Sequence, residues 1–243
     1  MCQLCRQDSI QKFGPSRRNL LGAAAAMTGF LLAGAAGAKE KKTPKPQNVL
    51  TPDASLRRLI KGNARYVEGV AARHDFRHER EALSGGQNPY AAILSCADSR
   101  IAPEYAFDSG RGDLFVCRVA GNFASAEAIA SLEYAVAELG TPLIMVLGHD
   151  SCGAVDATIK SLKDGTTLPG HLPSLVTALA PAVKAVSQQG GDTLAKAIRQ
   201  NVIDNVAKLR SETPILSAAV EQGKLKVVGG IYRLRDGRVE MVG

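Results

Sequence analysis

Residues 141–162 read TPLIMVLGHDSCGAVDATIKSL. The apolar run over Thr141–His149 has no polar alternation, which predicts a strand buried on both faces. After Asp150-Ser151 the pattern changes, and Cys152–Leu162 predicts a helix. A strand covered on both sides belongs to a mostly parallel sheet packed between helices, so this stretch decides for an α/β domain.

The flanking sequence repeats the alternation. Upstream, Thr51-Pro52-Asp53 opens a helical stretch through Val70, and Tyr90–Cys96 and Asp113–Ala120 are two more apolar runs. Ala124–Leu139 predicts a helix between strands. Downstream, Leu172–Gln188 and Asp192–Ser211 are amphipathic helices, and KLKVVGGIYRLRDGRVEMV predicts a hairpin turning at Asp236-Gly237. No internal repeat interrupts this order.

The 243 residues are 45% hydrophobic and 22% charged, which describes a globular chain with a real core. The net charge of +7 is concentrated at the front: without residues 1–38 there remain 26 basic and 22 acidic residues. Aromatics are 5% and none are interleaved with a basic run, which argues against a nucleic-acid partner. Within SRRNLLGAAAAMTGFLLAGAAGA (16–38), Arg17-Arg18 precedes a weakly apolar Ala/Gly stretch ending in Ala36-Gly37-Ala38. That pattern resembles a twin-arginine export signal. The expectation is a signal peptide over 1–38, a charged, Pro-containing linker over 39–50, and one domain over 51–243. Cleavage after Ala38 leaves a periplasmic chain without stable membrane insertion; an uncleaved leader instead makes a membrane anchor.

Cys2 and Cys5 fall within the leader and are lost with it. Of the remaining three, Cys96 ends one predicted strand, and His149-x-x-Cys152 follows another. Ligands of parallel sheets gather beyond the carboxyl ends of strands, which would bring these three residues together. Two thiolates and an imidazole suit zinc, with Asp98 or a water as fourth ligand. A disulfide plus one free thiol is the alternative for an exported chain. Cys117 lies inside its strand and is expected to be a small buried hydrophobe. His74 and His78 stand at i, i+4 among arginines and are expected on a solvated helix face, and His171 in a loop.

The segments C-A-D-S-R (96–100), R-V-A-G-N (118–122) and G-H-x-x-C-G (148–153) resemble those of β-class carbonic anhydrases, from about Leu50 to the C-terminus. The resemblance implies a Rossmann-like subunit, paired into a homodimer or larger assembly with active sites at the interface, and one Zn2+ per subunit. It implies Cys96, His149 and Cys152 as metal ligands and Asp98–Arg100 as a catalytic dyad. It further implies Gln87, Phe115 and Tyr134 as substrate-pocket residues, with Gln87 reaching into the neighbouring subunit. The chain has no tryptophan, so the Trp-containing inhibitory bicarbonate site of some members is absent in that form.

The implied reaction is the reversible hydration of carbon dioxide to bicarbonate and a proton, with zinc hydroxide as nucleophile. Zinc lowers the pKa of bound water from about 15.7 to about 7 in an all-histidine carbonic anhydrase. Two thiolates make the metal less acidifying, so a compensating device is expected; Asp98, clamped by Arg100, would orient the hydroxide, and unclamped would take the fourth position on zinc. A zinc deaminase is disfavoured because H-x-E with P-C-x-x-C is absent. A structural zinc protein has no use for Gln87, Phe115, Tyr134 and Arg100, and a redox module would need its thiols free.

Overall fold

The computed structural model describes residues 49–72 and 76–242. The predicted leader and most of the linker lie outside them. The element order is α1 (Pro52–Val67), α2 (Phe76–Leu83), β1 (Ala91–Ser95), α3 (Pro103–Ala106), β2 (Leu114–Arg118) and α4 (Ala126–Ala137). Then follow β3 (Leu143–His149), α5 (Gly153–Asp164), α6 (Leu172–Val186), α7 (Thr193–Ser211), α8 (Ile215–Glu221), β4 (Lys226–Tyr232) and β5 (Val239–Val242).

Local chemistry sets the boundaries. Thr51 Oγ1 accepts from the Ala54 amide at 3.3 Å ahead of Pro52, so α1 starts with a side-chain cap and a residue that needs no amide partner. Ser125 caps α4 and Asp192 caps α7 in the same way, at 3.3 and 3.0 Å. α5 stops at Gly165, whose φ of 63° is the left-handed conformation that glycine adopts without strain.

The sheet order is β2-β1-β3-β4-β5, with the first four strands parallel and β5 antiparallel to β4. All seven residues of β3 are buried, as its unbroken apolar run predicts. Alternate side chains feed two cores. Ala91, Ile93, Leu143, Met145 and Leu147 pack with Leu59 of α1 and with Ala106 and Phe107 around α3. Ala92, Leu94, Ile144 and Val146 face the other way, onto Leu132, Val155, Leu179, Ile198, Val202 and Leu216 of α4–α8. The hairpin forms where Asp236-Gly237 predicts it, with Gly237 at φ 75°. No described helix is long and apolar enough to cross a membrane.

One expectation needs correction. Cys117 is half-buried rather than buried, because β2 lies at the sheet edge and has a neighbouring strand on one side only.

Candidate metal centre

Three residues meet at the carboxyl edge of the sheet. Cys96 directly follows β1, His149 is the last residue of β3, and Cys152 is the N-cap of α5. Their ligand atoms all lie within 4.8 Å of one another, and all three residues are buried. The turn between His149 and Cys152 carries Ser151 at φ 53°, a left-handed conformation uncommon for a residue with a Cβ.

The imidazole is fixed by its neighbour. His149 Nδ1 lies 2.8 Å from the Asp150 carbonyl, so Nδ1–H is the donor there and the Nε2 lone pair faces the cysteines. Asp150 is itself held: its amide donates to the Tyr232 carbonyl at 3.2 Å, and its Oδ1 accepts from the Leu234 amide at 2.9 Å. Nε2 is buried and has no hydrogen-bond partner. An orphaned buried nitrogen of this kind costs stability unless something occupies the space before it.

The two sulfurs divide one charge between them. The neighbouring Cys152, against the effect of burial, lowers the Cys96 pKa to about 4, helped by His149 and the Gly121 amide. That amide lies 3.3 Å from Cys96 Sγ. Cys152 is pushed well up by the neighbouring Cys96 sulfur and by burial. Burial alone would lower His149, but attraction to the Cys96 sulfur outweighs it and raises the value. A thiolate, a second sulfur and a free imidazole nitrogen form a seat for a cation. The donor set fits zinc.

Beside this seat, Arg100 grips Asp98 at both oxygens. Nε donates to Oδ1 at 2.9 Å, Nη2 donates to Oδ2 at 2.7 Å, and the Arg100 amide adds a third bond to Oδ1 at 2.9 Å. These contacts hold the Asp98 carboxyl well below the usual carboxylate range. Asp98 Oδ2 lies 3.9 Å from His149 Nε2, so the charged oxygen borders the same space. Arg118 braces the loop, donating to the Cys96 carbonyl at 2.9 Å and to the Asp98 carbonyl at 2.7 Å.

Gln87 is exposed in the loop ahead of β1. Phe115 pairs with Ala92 in the sheet register, four residues before Cys96, and its ring centroid lies 6.3 Å from that of Tyr134. Tyr134 is 49% exposed. His171 precedes α6 in a turn and is exposed, as expected. His74 and the side chain of His78 lie outside the described residues. Sequence reasoning missed the bracing by Arg118 and Gly121, although both stand in the quoted R-V-A-G-N.

Fold and site together define a metalloenzyme of the α/β class, with a Cys-His-Cys seat at the strand ends and a clamped carboxylate beside it. A family profile described as "Carbonic anhydrase" matches residues 91–239. Carbonic anhydrase 2 of Mycobacterium tuberculosis is 40% identical over 189 residues, covering 77% of this chain and 91% of the relative. The carbonic anhydrase of Pseudomonas aeruginosa is 36% identical over 171 residues, covering 66% and 76%. Among solved structures, the β-carbonic anhydrase CcaA superposes with a TM-score of 0.59 at 31% identity, covering 76% of this chain and 94% of that one. A tetrameric β-carbonic anhydrase of Sordaria macrospora gives 0.62 at 26% identity, covering 69% and 87%. The chain belongs to the carbonic anhydrase family, in its β class: a zinc enzyme of the reversible hydration of carbon dioxide to bicarbonate and a proton.

Proposed function

We propose that this chain hydrates carbon dioxide with Cys96, His149 and Cys152 as the zinc ligands and Asp98–Arg100 as the catalytic dyad. Bound zinc supplies the acidity that turns water into a nucleophile at neutral pH. The chain's own residues do the rest. His149 presents Nε2 because Asp150 occupies Nδ1. Arg100 keeps Asp98 ionised, so the carboxylate acts as an acceptor and takes a hydrogen bond from the attacking water. A nucleophile with no proton to offer is repelled by the same oxygen. Held by Arg100, Asp98 stays off the metal position; released, it takes that position and stops the reaction. The observation that carries this reading is the gripped carboxylate standing 3.9 Å from the orphaned Nε2.

The active unit is a homodimer or a larger homo-oligomer, in which Gln87 reaches into the neighbouring subunit's site and Phe115 and Tyr134 line the pocket for carbon dioxide. Supporting this, β2 is an edge strand whose Phe115, Val116 and Cys117 are half-buried, and the Sordaria relative is tetrameric by its description. Residues 1–38 form a twin-arginine signal, cleaved after Ala38, that exports the folded enzyme to the periplasm. Arg17-Arg18 and the Ala36-Gly37-Ala38 ending support that reading. Folded export lets the thiols take up zinc before they meet an oxidant.

Stopped-flow carbon dioxide hydration combined with zinc analysis tests the function. Fast hydration at one zinc per chain is expected; a zinc-replete protein without hydration would make the site structural. Mass spectrometry of the exported chain tests the leader, with Lys39 expected at the new N-terminus.

A further inference from the structure

The Gly121 amide on Cys96 Sγ raises the question of what keeps it there. Residues 119–124 leave the sheet after β2 and turn sharply, with the Asn122 amide donating to the Val119 carbonyl at 2.9 Å. Gly121 has φ 87° and Asn122 has φ 44°. A Cβ at Gly121 would lie 2.8 Å from a Leu179 methyl of α6, and a φ of 87° strains any residue that carries one. Backbone bonds from the Val119 amide to the Ser95 carbonyl at 3.1 Å and from the Ala97 amide to the Val119 carbonyl at 3.3 Å tie the start of this turn to the chain around Cys96, and leave its far side, 121–124, to be held from elsewhere.

The bracing comes from α7. Asn201 Nδ2 donates to the Gly121 carbonyl at 2.8 Å. Asn205 Oδ1 accepts from the Ala124 amide at 2.7 Å. The two asparagines are joined, with Asn205 Nδ2 donating to Asn201 Oδ1 at 3.0 Å and to the Asn201 carbonyl at 2.8 Å. One turn on, Lys208 Nζ donates to the Ala124 carbonyl at 2.8 Å. Asn201 and Asn205 are 3% and 7% exposed, flanked by the buried Ile198 and Val202. Buried amides are expensive unless their bonds are made, and here both side chains use their carbonyl and their amide on each other or on the loop.

We propose that Asn201 and Asn205 are positioning residues for the metal. They hold the 121–124 loop so that the Gly121 amide stays on the Cys96 sulfur and limits the charge this thiolate donates to the metal. The proposal rests on the reading of Cys96 as a zinc ligand. It answers a specific need, since two thiolates give more charge than imidazoles and work against acidifying water. A hydrogen bond to sulfur withdraws part of that charge, which is how outer partners tune a metal.

The test uses the full chain, loaded with Co(II) for spectroscopy and with Zn(II) for affinity, in Asn201→Ala and in Asn201→Leu. Leucine has nearly the shape of asparagine and carries the test if the alanine variant does not fold. Val202→Ala, a buried loss on the same helix with no polar link to the loop, is the control. Expected in the Asn201 variants are a thiolate-to-cobalt charge-transfer band at longer wavelength and a zinc affinity about 10- to 100-fold weaker by chelator competition. Val202→Ala should keep both at wild-type values. The proposal is overturned if the Asn201 variants keep the wild-type band, or if Val202→Ala moves it equally. Hydration is not read here, so a zinc-replete parent that fails to hydrate carbon dioxide would sink the proposed function without deciding this test.

Discussion

Asp98→Asn isolates the charge of the dyad with almost no change in shape. In the parent, Asp98 offers Arg100 two charged oxygens at 2.9 and 2.7 Å and keeps one of them 3.9 Å from His149 Nε2. The amide keeps one oxygen and sets an NH2 group against a guanidinium or against the attacking water. Either way one charge-assisted acceptor is lost. A hydrogen bond to a charged group is worth about 1.5–3 kcal/mol. If that bond strengthens only as water attacks, its loss falls on kcat, by roughly 10- to 150-fold, and leaves KM nearly unchanged. Asp98 is held ionised far below neutrality, so the loss should be the same across about pH 6 to 9. The assay is stopped-flow hydration over that range, on protein whose zinc content equals the parent's. An unchanged kcat at full zinc would reduce the dyad to a surface ion pair and refute its catalytic role.

Arg100→Ala leaves Asp98 only the backbone amide, so the carboxyl rises toward its ordinary value of 3.8. A depressed folded-state pKa stabilises above the unfolded value and is lost as pH falls through the folded one. The denaturant midpoint of this variant should therefore fall less than the parent's on acidification below pH 3.8, and its hydration rate should fall at neutral pH. Gly62→Ala puts a Cβ 1.9 Å from the Phe107 carbonyl oxygen where α1 crosses the end of α3. Overpacking of that kind costs about 1–3 kcal/mol, read from urea unfolding, while hydration per zinc-loaded chain should not change. Cys152→Ser should lose zinc and hydration together by metal analysis, whereas parent stripped with a chelator should recover both on adding zinc.

The sequence carried the site more fully than its surroundings. β3 was legible because a run buried on both faces has no alternation to misread, and its end placed His149 and Cys152. Cys96 followed from the same rule at β1. Edge position is not written in a strand, since LFVCR looks the same at an edge as inside a sheet, and Cys117 was misplaced for that reason. The short helices α3 and α8 escaped notice: four and seven residues are too few for periodicity to speak. Asn201 and Asn205 carry no signal of their own in the sequence, because helical spacing cannot tell a residue that faces solvent from one that faces a loop whose hydrogen bonds need making. Gln87, Phe115 and Tyr134 came only from the family resemblance, because no spacing or periodicity marks a residue as lining a pocket.

The nearness of the Cys96 and Cys152 sulfurs has a consequence for how the enzyme is charged with metal. Zinc is held by thiolates and not by thiols, so filling such a site would release protons. Occupancy therefore follows the ratio of free zinc to acidity rather than zinc alone.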